Sequence, residues 1–202
     1  MDGNPHALLT DITDLKFDEA EHAYTWKGEV MPSVTQILKH FGFIDDQWYT
    51  EESRIRGQAV HRACELYDHG LLDYDSLDPS LVGYLDAWKK FESDTGFESE
   101  LIEQRVVNPI YRYAGTLDRI GIMHNVAGGP RRTLLDIKSG AVQRWAALQI
   151  GAYEACFVKK DYHRMAVELR KDGTYRTKDF TGHSDKGLFC GLASAWHWKR
   201  SK

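Results

Sequence analysis

Asp136 and Lys138 stand two residues apart in the run Leu134-Leu135-Asp136-Ile137-Lys138. On a strand both side chains leave one face while Leu135 and Ile137 point to the other, so a carboxylate and an ammonium are held side by side. Such a pair at a strand end can hold a divalent cation and orient a nucleophilic water. The plain alternative is a surface ion pair worth little, and Asp14-Leu15-Lys16 carries the same pattern with nothing around it. A second carboxylate, Asp118, lies in Gly115-Thr116-Leu117-Asp118-Arg119-Ile120-Gly121. There it alternates with apolar Leu117 and Ile120, a position costly for a charge unless it is paired or bound to a metal. His61 and Glu65, and again Gln149 and Tyr153, are spaced four apart, which puts each pair on one helix face. Taken alone, a His/Glu pair of this kind is more often a solvated contact than a metal site.

These residues need elements to position them. The 202 residues, 42% apolar and 12% aromatic, suffice for one well-buried core and predict one domain over 1–202, with 1–16 a loose N-terminal segment. The net charge of −4 argues against nucleic-acid binding through bulk positive charge and leaves room for a local basic groove. Cys64, Cys156 and Cys190 are odd in number and far apart, which suggests neither a disulfide framework nor a paired-cysteine zinc site. No apolar run of about 18 residues and no charged-then-apolar leader is present, so a soluble, cytoplasmic protein without membrane association is expected.

The pattern predicts a hairpin over Phe17 to Val30 turning at Lys27-Gly28-Glu29, then a short helix through Leu38 capped by Ser33. A long helix is expected from Asp45 to His69, in which Gly57 marks close packing or a bound backbone, and another from Leu77 to Thr95, stopped at Gly96. Arg54, Arg56 and Arg62 on the first of these are a solvated face or phosphate contacts. The period then changes to strands at Glu98 to Val107, Tyr111 to His124 and the Asp136 run, an antiparallel meander. A helix from Val142 to Phe157, a strand pair turning at Lys171-Asp172-Gly173 and a last helix from His183 to Trp198 complete the chain. The order predicts an α/β domain with a mixed central sheet flanked by helices.

Gly57 with His61 and Glu65, Gly115-Thr116-Leu117-Asp118, Asp136-Ile137-Lys138, and Gln149-Ile150-Gly151-Ala152-Tyr153 follow one another in that order. The set resembles the PD-(D/E)XK nuclease superfamily, in particular its RecB-like branch of phage and mitochondrial exonucleases. With the Pro32-Ser33-Val34-Thr35 segment, the resemblance covers roughly residues 17–160. It implies the restriction-endonuclease-like core and a metal-dependent DNA exonuclease working in recombination, replication or repair, in the host cytoplasm if phage-encoded. By the same resemblance, Asp118 is the central ligand for one or two magnesium or manganese ions, with Asp136, the Ile137 carbonyl and His61 beside it. Glu65 and Glu103 complete a second position or hold waters. Hard oxygen donors suit these cations. Lys138 orients or deprotonates the attacking water and, with Asp118 and Asp136, forms the catalytic set. Gln149, Tyr153, Arg119, Arg144 and Trp145 are the expected DNA contacts.

Relatives with an iron–sulfur cluster use four cysteines, three of them grouped; three scattered ones predict no cluster. Expected partners are DNA with a free end and a single-strand annealing or single-strand-binding protein. Two other readings share part of this pattern: a sequence- or structure-selective endonuclease of the same superfamily, and a catalytically silent DNA-binding module. Three intact acidic and basic groups speak against the last, because an acidic cluster repels phosphate.

Overall fold

The computed structural model describes residues 4–45, 50–159 and 161–201. Strands β1 (Leu15–Asp18), β2 (Ala23–Trp26) and β3 (Glu29–Met31) form a small antiparallel sheet. Its second hairpin turns at Lys27 (φ 51°) and Gly28 (φ 81°), the two left-handed residues that a tight turn between twisted strands needs. Helix α1 (Val34–His40) starts in a reciprocal cap: the Ser33 hydroxyl accepts from Gln36 N–H, and the Gln36 side chain accepts from Ser33 N–H.

Helix α2 runs over Glu51–Asp68 with Thr50 as its cap, and the Asp46–Tyr49 part of the predicted start lies outside the described residues. After a single 3₁₀ turn at Pro79–Leu81, α3 spans Val82–Thr95 and ends on Gly96 at φ 60°, as its sequence predicts. Five strands follow as one sheet, in order: β4 (Phe97–Asn108), β5 (Tyr113–Met123), β6 (Arg131–Lys138), β7 (His163–Leu169) and β8 (Tyr175–Asp179). The first three make the antiparallel meander, β7 lies parallel to β6, and β8 returns antiparallel. The parallel step requires a crossover, supplied by α4 (Ala146–Glu154). Helix α5 (Ser184–Trp198) closes the chain.

Strand alternation divides the core. Leu117, Ile120, Leu134 and Ala166 pack against α1, α4 and α5, whereas Leu135, Ile137, Met165 and Val167 pack against α2 and α3 through Val60, Cys64, Trp88 and Phe91. The protein is therefore a mixed α/β structure with a five-stranded sheet between two helical layers. All three cysteines are buried. Among the described residues no helix is long and apolar enough to cross a membrane.

One element is shorter than its sequence suggests. The helix predicted from Val142 begins only at Ala146, after tight turns in which the amides of Ala146 and Ala147 donate to the carbonyls of Gln143 and Arg144. Propensity favours helix for Ala141 to Trp145, but these residues must first carry the chain off the end of β6 and over the sheet, and that geometry prevails.

Candidate metal centre and cleft

The hydrogen-bonded ladder between β5 and β6 stops at the pair Arg119 and Leu135. Beyond it the Asp118 side chain takes over, Oδ2 accepting the Ile137 N–H at 2.6 Å. The Ile137 carbonyl in turn lies 2.9 Å from His61 Nε2, the ring nitrogen that donates to it. That leaves Nδ1 facing two carboxylates, Asp118 Oδ1 at 3.6 Å and Glu103 Oε1 at 3.8 Å. One ligand atom from each of His61, Glu103 and Asp118 fits within a 4.8 Å span, compact enough for a single cation.

The trio differs in membership from the expected set. Glu103, given only an auxiliary place by its sequence, is at the centre. Asp136 stands beside it, 2% exposed, with Lys138 Nζ at 2.7 Å from Oδ2. Glu65, expected as a further ligand, is turned to Arg62 at 2.8 Å and does not join the trio. The Ile137 carbonyl, another expected ligand, is engaged by His61.

Burial disfavours every charge here, and the neighbours decide the outcome. For His61, enclosure pushes toward the neutral ring, but Asp118 and Glu103 together outweigh it and raise its pKa to about 9. A cation taking Nδ1 has to displace that proton. Burial raises Asp118 above the usual carboxylate range, against the pull of His61, and raises Asp136 to about 6 against the pull of Lys138. Neither oxygen of Asp136 has a hydrogen bond of good geometry, although both are buried. A buried carboxylate paired with Lys138, beside three convergent ligand atoms, suits a hard divalent cation, which would add positive charge to the cluster.

The lysine is held as well. Tyr153 Oη accepts from Gln149 Nε2 at 3.1 Å, which turns the amide oxygen toward Lys138 Nζ at 3.3 Å. The Trp145 ring lies under the same amine, 5.3 Å from its centre. Gln149 and Tyr153 are buried, so they orient Lys138 from beneath and do not face solvent. Gly115 makes room for them, since a β-carbon there would sit 2.7 Å from the Tyr153 ring. Gly57 is different: a β-carbon would meet only Ser139 Oγ at 3.7 Å, an ordinary contact, so close packing does not demand a glycine there.

A cleft of about 510 Å³ opens over these groups, between α2 and the loop after β6, with Arg54, Arg56, Gly57, His61, Lys138 and Trp145 among its walls. Arg56 Nε is buried and has no hydrogen-bond partner, while Arg54 is tied to Glu51 at 3.0 Å. Arg144 is exposed on the loop before α4. Neither family models nor curated proteins match this sequence.

Arg119 requires a correction. Expected as a phosphate contact, it is fully buried, its Nε donating to Asp68 at 2.6 Å and its Nη1 to Glu103 at 2.9 Å. Asp68 was invisible as a partner because it lies far away in sequence, on the last turn of α2. It also accepts from Trp88 Nε1 at 2.7 Å.

Glu92 lies against the same aspartate, and burial together with the Asp68 charge raises its pKa to about 8. Its folded pKa is above its unfolded one, so the stability it contributes is complete below about pH 4.5 and is lost as pH rises toward 8. Glu92→Gln should therefore stabilise the protein at pH 8, by on the order of 1–2 kcal/mol after allowing for its partial exposure. Urea denaturation at pH 5 and pH 8 checks this: the variant should lose less stability between the two than the wild type.

Proposed function

We propose that this protein is a metal-dependent deoxyribonuclease of the PD-(D/E)XK kind, hydrolysing phosphodiester bonds from a free DNA end. The observation that carries the reading is the meeting, beside a cleft that His61 and Lys138 line, of His61, Glu103 and Asp118 within 4.8 Å with an Asp136–Lys138 pair at 2.7 Å. The motif order and the α/β architecture support it, since the strands bearing Asp118 and Asp136 are adjacent in the sheet. So does the distribution of charge in the cleft. Asp118 and Asp136 are buried, and Arg54 and Arg56 line the walls, where a backbone would pass.

When bound, magnesium or manganese supplies charge neutralisation at the scissile phosphate and makes a hydroxide accessible near neutral pH. His61, Glu103 and Asp118 are the residues that would hold it, with Asp136 alongside. Lys138, fixed between Asp136 and Gln149, orients the attacking water by donating to its oxygen; once the ammonium has passed a proton to Asp136, the neutral amine can accept the water's proton. Arg56, on the cleft wall, offers its guanidinium to a phosphate oxygen. The ring of Trp145 at the cleft wall offers a face on which a base can stack.

Linear and covalently closed circular DNA, single- and double-stranded, incubated with magnesium, manganese or EDTA, test the proposal. Degradation of linear substrates alone, abolished by EDTA, is expected. Cutting of closed circles would make the protein an endonuclease, and retention of DNA without cleavage under either metal would overturn the enzymatic reading.

A further inference from the structure

We propose that Arg119, oriented by Asp68, is a positioning residue that fixes the Glu103 carboxylate as a cation ligand. The inference rests on reading the His61, Glu103 and Asp118 trio as a metal centre, and it assigns work to groups that touch neither metal nor DNA.

Glu103 is held in an unusual backbone state. Its φ is 46°, the left-handed region that residues with a β-carbon seldom adopt. The other described non-glycine residues with positive φ, His22, Lys27 and Arg112, lie in turns; Glu103 lies inside a strand. Ile102 pairs with Arg119 and Gln104 with Leu117, so Glu103 drops out of the ladder opposite Asp118. Strain of this kind persists only where surrounding contacts over-determine it, and it concentrates at working sites.

Arg119 supplies the over-determination. A guanidinium that neutralises a buried aspartate frequently binds it through two parallel hydrogen bonds. Here only Nε goes to Asp68. Nη1 turns away to Glu103 Oε1 and the Asp118 carbonyl, and Nη2 is left buried without a hydrogen bond. The geometry sacrifices one buried donor in order to reach the glutamate. Trp88 Nε1 anchors the far end by donating to Asp68 Oδ1. The sequence of contacts, Trp88 to Asp68 to Arg119 to Glu103, runs from the apolar core to the edge of the trio.

Calorimetric titration of the full chain with Mn²⁺, without DNA, tests the assignment. Arg119→Gln and Glu103→Gln should each weaken Mn²⁺ binding roughly 10- to 100-fold. The double variant should be no weaker than Glu103→Gln alone, because the arginine acts through the glutamate. Circular dichroism and thermal unfolding establish that each variant is folded. If Arg119→Gln does not fold, Asp68→Asn, which keeps the shape at that position, should give a smaller loss that likewise vanishes in the Glu103→Gln background. A folded variant with wild-type Mn²⁺ affinity, or losses that add, overturns the proposal. Wild-type protein that binds Mn²⁺ but cleaves no DNA removes the nuclease reading and leaves the clamp to be judged by the same cycle. Wild-type protein that binds neither Mn²⁺ nor Mg²⁺ overturns both.

Discussion

Lys138→Ala is expected to slow DNA cleavage by roughly 10²–10⁴-fold while DNA binding stays within about a factor of three, the range associated with loss of a positioned proton-transfer group. The amine is fixed from two sides, by Asp136 at 2.7 Å and by the Gln149 oxygen at 3.3 Å, so no neighbouring cation can take its place without rearrangement. Binding should survive because Arg54 and Arg56 on the cleft wall are untouched. The variant also leaves Asp136 buried without its counter-ion. Its carboxyl, already raised to about 6, should then hold its proton more firmly, at a stability cost of about 1–3 kcal/mol. Single-turnover cleavage, fluorescence anisotropy with labelled DNA and urea denaturation separate the three effects. A variant that cuts at close to the wild-type rate would refute the role given to the lysine.

The second large effect is expected at Asp118. Asp118→Asn keeps the shape and an oxygen that can accept the Ile137 N–H, but it removes the negative charge shared with His61 and Glu103. Cleavage should fall by at least about 10³-fold, as when a principal electrostatic group is lost from a hydrolytic site. Stability without metal should move the other way. Burial raises the Asp118 pKa, so the ionised carboxylate opposes folding at neutral pH and its removal should hold or raise the melting temperature in EDTA. Manganese should then discriminate. At about 100 times its dissociation constant a ligand stabilises the folded state by about 2.7 kcal/mol, and that shift should appear in the wild type and vanish in the variant. Equal shifts in both would remove Asp118 from the ligand set.

Much of this arrangement is legible in the chain itself, and the parts that are not share a cause. The Ser33 cap, the Gly96 stop and the alternation around Leu134 to Lys138 are local signals, and each element they mark is present. The motif glycine at 115 also has a local reading, but its reason, the Tyr153 ring against the strand, exists only after folding. From the sequence Glu103 reads as an accessory, because a strand gives no notice of one residue leaving its ladder. The adjacent apolar pair Leu101-Ile102, which breaks the alternation, is the one trace of it, close to the register shift between Ser99 and Leu101. Arg119 misled for a related reason. Beside a motif aspartate an arginine looks like a phosphate contact, and only the position of Asp68 on α2 turns it inward. Glu65 follows the same rule, its nearest cation being Arg62 on its own helix.

Ile137 is bracketed by the two residues that chemistry makes conspicuous, yet its own contribution is made by main-chain atoms. Its amide fastens one motif strand to the Asp118 carboxylate, its carbonyl steadies His61, and its side chain merely fills the core. Valine or leucine could therefore replace it with little functional penalty, whereas proline, which has no amide hydrogen, could not. A position of this kind would look unremarkable in any comparison of side chains across variants, although two of the groups that shape the centre depend on it.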